Sequence, residues 1–224
     1  MMFEALKCAL SDMNTNDLDD YGEIMSSDLI SGESSRARMS TENLDFHYDN
    51  NLKSWCLSQY AREFVGARAL EFVAKRINNG SVKSLVSQHS KDEDRHAAIF
   101  LALANTLGGC QNSDCVNKIE KSMAEVERIT NREAFNFFNF IVDTHISEVD
   151  SLYKLSVLCK LLGPNSENRK KTAIFSRIMQ DEAFHVLYTA KIIVLYSRSI
   201  NCKCKMKEYA KNSAVNFFLE TGHE

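Results

Sequence analysis

A chain of 224 residues with a single proline, Pro164, and only eight glycines is short of the residues that punctuate β-turns. Average usage would supply about eleven prolines and sixteen glycines. Only a mostly helical fold with few connections tolerates that shortage, because strands need such turn residues at short intervals. The length suffices for one large domain with its own core.

Charge excludes some partners. Twenty-seven basic and thirty acidic residues give a net charge of -3, which offers no electrostatic footprint for nucleic acid or an anionic membrane. The basic clusters Arg169-Lys170-Lys171 and Lys203, Lys205, Lys207 read as solvated helix ends. No apolar run approaches the roughly 18 residues needed to span a bilayer, and the N-terminus turns acidic where a signal peptide stays apolar. Seven cysteines, an odd number without C-x-x-C spacing, suit a reducing cytosol. A cytoplasmic protein with no nucleic-acid or membrane partner is expected.

Residues 1–48 are polar and read as a partly flexible leader, with a short helix around Met2 to Ala9. From residue 49 to 224 the pattern is that of one helical domain. A first long helix runs from about Asn51 to Ile77, with Gly80 as its C-cap; a second, capped by Ser81, reaches Gly108-Gly109. A third starts at a Thr130/Glu133 capping box and ends at Leu162, before a Gly163-Pro164 turn. A fourth, capped by Ser166, lasts to Ser199, and a shorter fifth covers about Lys205 to Leu219. Short turns join helices one to two and three to four, whereas about twenty residues, including a short helix, join two to three. Two antiparallel hairpins linked by one long crossover are the ferritin-like four-helix arrangement.

The second helix contains Asp92-Glu93-Asp94-Arg95-His96 and the fourth Asp181-Glu182-Ala183-Phe184-His185. Both read D-E-x-x-H, which sends a carboxylate and an imidazole from one helix face. Random placement would give about 0.03 copies of that pattern, so two are not chance. In a helical hairpin, residues equally far from the turn lie side by side. That register matches Glu63 to Glu93 and Glu148 to Glu182. Glutamates gathered in a low-dielectric interior repel or take up protons unless cations hold them, and carboxylate oxygen with imidazole nitrogen is the ligand chemistry of iron or manganese. Two metal ions held by Glu63, Glu93, His96, Glu148, Glu182 and His185 are therefore expected.

On these residues, about 51 to 199 of the chain resemble the ferritin-like di-iron, or di-manganese, carboxylate proteins, whose signature is a Glu from each of two helices and E-x-x-H from each of the others. The spacing resembles the oxygen-activating branch, the oxygenases and desaturases. The resemblance implies that Asp92 holds His185 and that Asp181 holds His96, each fixing the imidazole tautomer. It also implies that Arg95 joins a buried ionic network, as in the D-E-x-R-H string of bacterial monooxygenase hydroxylases and acyl desaturases. His145, one turn before Glu148, reads as a hydrogen-bonded neighbour of the ligands, with an extra ligand or a proton shuttle as the other readings. Related aryl-amine N-oxygenases carry a third His where this chain has Ile178.

The expected function is a non-haem di-iron oxygenase or oxidase that uses oxygen to hydroxylate, N-oxygenate, desaturate or cleave a small organic substrate. The cofactors would be two iron ions, or manganese with iron, and a reductase or ferredoxin would supply electrons. A homodimer is the expected assembly. The alternative is a ferroxidase, peroxidase or iron-handling protein without an organic substrate. Phe137, Phe138, Phe140 and Ile141 would line an apolar cavity or fill the core. Phe100 stands where a radical-forming tyrosine would be expected, and Tyr60 and Tyr188 are other redox or hydrogen-bonding candidates.

Overall fold

The computed structural model describes residues 2–25, 49–108, 113–130, 135–163, 168–199 and 203–221. Among the described residues there are eight helices and no strand, so the protein is all-α. In chain order they are α1 (Met2–Ala9), α2 (Thr15–Met25), α3 (Asp49–Ala74), α4 (Gly80–Thr106), α5 (Ser113–Thr130), α6 (Phe137–Leu162), α7 (Arg169–Ser199) and α8 (Lys203–Thr221). They divide into two compact units, Leu44–Phe135 and Met1–Asn43 with Asn136–Glu224. No helix among the described residues is long and apolar enough to cross a membrane.

In the Leu44–Phe135 unit, α3 and α4 form the first hairpin and α5 packs on α3. The turn differs from expectation. Asn79, not Ser81, caps α4: its side-chain oxygen accepts from the N–H groups of Ser81 and Val82, both at 3.1 Å. Gly80 is therefore the first helical residue of α4 and not a C-cap. Asn79 wins because its amide oxygen satisfies two of the N–H groups that a helix start leaves open. Between the arms Cys56, Val73, Val86 and Ala104 are fully buried, and Trp55 meets Phe100 edge-on with ring centroids 5.4 Å apart. Gly109 and Cys110 lie outside the described residues.

In the other unit, α6 and α7 form the second hairpin, with α1, α2 and α8 packed on it. Here too an asparagine replaces the expected cap. Asn136 accepts from Phe138 and Asn139 at 2.9 and 3.3 Å, so α6 starts at Phe137, while Thr130 is the last residue of α5. Glu133 lies outside the described residues. Gly163 ends α6 at φ +63°, the left-handed conformation that glycine adopts without a Cβ clash. Asn168 then donates from Nδ2 to the Leu162 carbonyl at 2.7 Å. Pro164 and Ser166 lie outside the described residues. At α8, Tyr209 donates to Asp143 of α6 at 2.9 Å, and burial pushes both the Asp143 carboxyl and the Tyr209 hydroxyl above their ordinary values.

The stretch read as a polar leader is, over residues 2–25, two docked helices. Leu6, Leu10, Met13, Tyr21, Ile24 and Met25 are buried, the last three at the i, i+3, i+4 spacing of one helical stripe. Arg198 at the end of α7 clamps the polar side of α2, donating from Nε to Asp20 at 2.6 Å and pairing with Asp17 at 2.8 Å. The acidic residues that made α2 look unstructured are thus its anchor. Residues 26–48 lie outside the described residues. Ile24→Ala should cost about 2–5 kcal/mol in urea denaturation, the range for truncating a well-packed isoleucine; an unchanged midpoint would contradict the docking of α2.

Candidate functional site

Each hairpin gathers the same three residue types. In the α3–α4 hairpin, Glu63, Glu93 and His96 are all buried. His96 Nδ1 lies 3.9 Å from Glu63 Oε2 and 3.8 Å from Glu93 Oε1, and the three side chains offer ligand atoms within 4.8 Å of one another. Glu93 and His96 meet because three residues nearly complete a turn. Glu63 joins them because the Asn79 turn sets both arms in register. Gly66, one turn after Glu63, faces Glu93: a Cβ there would meet Oε2 at 3.4 Å, an ordinary van der Waals contact. Ser90 ties the arms together by donating to the Ala67 carbonyl at 2.9 Å.

The α6–α7 hairpin repeats the pattern with Glu148, Glu182 and His185, all buried. His185 Nδ1 lies 3.6 Å from Glu148 Oε2 and 3.4 Å from Glu182 Oε2. Tyr188, also buried, meets the His185 ring edge-on at 6.3 Å and restricts its rotation. The six residues selected by motif and register therefore form two triads, one in each unit.

The donor set and spacing fit a metal ion. Ligand atoms about 2.0–2.2 Å from one ion lie roughly 3.0–3.9 Å apart at angles of about 90–130°. The four imidazole–carboxylate distances, 3.4 to 3.9 Å, fall in that interval. Two carboxylates balance the charge of a divalent ion, whereas a neutral imidazole leaves two buried carboxylates at a cost of several kcal/mol. Buried His/Glu clusters drawn from these residues could therefore hold a metal ion.

His145 is not a ligand in this arrangement. Its Nδ1 lies 2.8 Å from Thr189 Oγ1 and its Nε2 2.8 Å from Tyr21 Oη. Thr189 also lies 2.7 Å from the His185 carbonyl, which can only accept, so the threonine proton goes there. Thr189 then accepts from the His145 Nδ1–H, and Tyr21 donates to Nε2. Burial reinforces this neutral tautomer by pushing the imidazole down to about 4. Tyr21, from the stretch read as leader, thereby connects α2 to α6 and α7.

The other expected site residues are placed as follows. Asp92 accepts at Oδ1 from Gln88 at 3.1 Å and Arg95 at 2.8 Å. The Arg95 side chain is 39% exposed, so it pairs with Asp92 at the surface and not within a buried network. Asp181 is half-buried; it and His96 belong to different units, as do Asp92 and His185. Phe138 and Ile141 are core residues, with Phe138 stacked on Tyr196 at 5.5 Å and Phe137 edge-on to it at 6.4 Å. Half-buried Tyr60 packs on Phe64, Phe100 is buried against Trp55, and Ile178 is core.

One residue escaped the motif reading. His89 is buried four residues before Glu93, with Nε2 3.2 Å from Glu93 Oε1. The signal was present as H-x-x-x-E-x-x-H, a pattern one step longer than E-x-x-H. Comparison with protein-family models, curated proteins and solved structures finds no match to this chain.

Because His145 binds a proton more weakly folded than unfolded, the unfolded state takes up more protons between about pH 6.5 and 4. Stability should fall as pH drops through that window, with a slope approaching about 1.4 kcal/mol per pH unit. His145→Asn should flatten this part of the urea-denaturation profile; an identical slope in the variant would contradict the assignment.

Proposed function

We propose that the two triads hold two metal ions, and that the protein is a ferritin-like non-haem di-iron oxygenase or oxidase. The observation that carries this reading is the repetition of one buried Glu plus E-x-x-H, with matching imidazole–carboxylate spacing, in two separate hairpins. Glu63, Glu93 and His96 would hold one ion, and Glu148, Glu182 and His185 the other. When bound, two irons, or iron with manganese, supply oxygen activation toward a small organic substrate, with electrons from a reductase or ferredoxin.

The chain's own residues prepare that chemistry. Burial keeps water from the carboxylates and strengthens their hold on a cation. Asp92 and Asp181, each directly before a ligand glutamate, are assigned the orienting role that the resemblance implies. The Tyr21–His145–Thr189 chain carries no net charge and ends on the His185 carbonyl, so it holds the backbone of a ligand without competing for the ions.

Anaerobic titration with ferrous iron tests the reading. Wild-type protein should take up two irons per chain and, given reductant, consume oxygen without accumulating an iron mineral, which the ferroxidase alternative would form. Glu93→Ala and His185→Ala should each abolish two-iron loading while retaining the helical far-UV spectrum. Two irons still bound in either variant would contradict the ligand assignment.

A further inference from the structure

His89, Glu93 and His96 occupy positions i, i+4 and i+7 of α4, within about 60° of arc on one helix face. Both imidazoles converge on Glu93 Oε1, His89 from 3.2 Å through Nε2 and His96 from 3.8 Å through Nδ1. All three side chains are buried. A separation of 3.2 Å between nitrogen and oxygen suits two donors at about a right angle on one ion.

The other hairpin also carries a second histidine near its triad, and the contrast is informative. His145 has Nδ1 committed to Thr189 and Nε2 to Tyr21, both at 2.8 Å. His89 instead turns its nitrogen toward a carboxylate already assigned to metal. The α3–α4 hairpin thus presents two carboxylates and two imidazoles, and the α6–α7 hairpin two carboxylates and one imidazole.

We propose that His89 is a third imidazole ligand of the metal centre, bound through Nε2, which makes the two ion positions unequal. This rests on the two-metal reading above. The position with the extra nitrogen binds first and prefers iron over manganese, since affinity for nitrogen-containing sites rises from manganese to iron and imidazole suits iron. It carries no net charge once a divalent ion meets its two carboxylates.

The geometry supplies a signature that depends on no variant. His96 and His185 face their carboxylates through Nδ1, whereas His89 does so through Nε2. In full-length protein with 15N-labelled histidine, titrated with zinc as a diamagnetic probe, one Nε2-bound ring should appear beside two Nδ1-bound rings among the six histidines. Two Nδ1-bound rings alone would overturn the role of His89 and leave the two-metal centre standing. An Nε2-bound ring with only one zinc per chain would support His89 while contradicting the two-metal reading, and no metal-bound ring would overturn both. In ferrous titration, His89→Gln should weaken the tighter of the two binding steps by at least about tenfold and leave the other within about twofold. Two unchanged steps in a folded variant would overturn the proposal; if the variant does not fold, the wild-type nitrogen spectrum decides.

Discussion

The burial of four glutamates is the constraint on which the two hairpins depend. Glu63, Glu93, Glu148 and Glu182 are between 1% and 6% exposed, and no ordinary core tolerates such groups as anions without close compensation. Each hairpin meets that constraint in the same way, by bringing one imidazole within 3.4–3.9 Å of both its carboxylates. The compensation depends on hairpin register, so the turns matter as much as the ligands. Asn79 and Asn136 fix where α4 and α6 begin, and Gly163 fixes where α6 ends. One residue of slip rotates a helical side chain by about 100° and would remove a ligand from its triad.

The N-terminal helices serve the same end in their unit. Tyr21 reaches the buried His145, Arg198 holds the acidic side of α2, and Ile24 and Met25 fill the space beneath. His145 is thereby kept neutral and in one tautomer, a buried polar group with both nitrogens satisfied. Removing the Tyr21 hydroxyl would leave Nε2 without that donor, so α2 is part of the support of the candidate site.

Motif and register were readable in the sequence because they follow from helix geometry alone. Two D-E-x-x-H strings and the distance of each glutamate from its turn suffice to select the six residues. The caps were misread because serine, threonine and asparagine compete for such positions, and choosing among them needs the backbone. The docking of α2 was hidden by composition: Asp17, Asp19 and Asp20 dilute a stripe of only three apolar residues, and the partner of Asp17 and Asp20, Arg198, is far away in the chain. Phe184 shows the converse, since it lies beside buried Glu182 yet is 45% exposed. Apolar neighbours in sequence therefore do not establish burial, and helical phase does. His89 was overlooked because the E-x-x-H motif looks forward from the glutamate and not one turn back.

We have proposed that each triad holds one metal ion. Crystals of the full-length protein loaded with ferrous iron, measured at the iron absorption edge, test it most directly. Two iron peaks, one against Glu63 and His96 and the other against Glu148 and His185, are the expected result. A single peak, or peaks away from these residues, would contradict it.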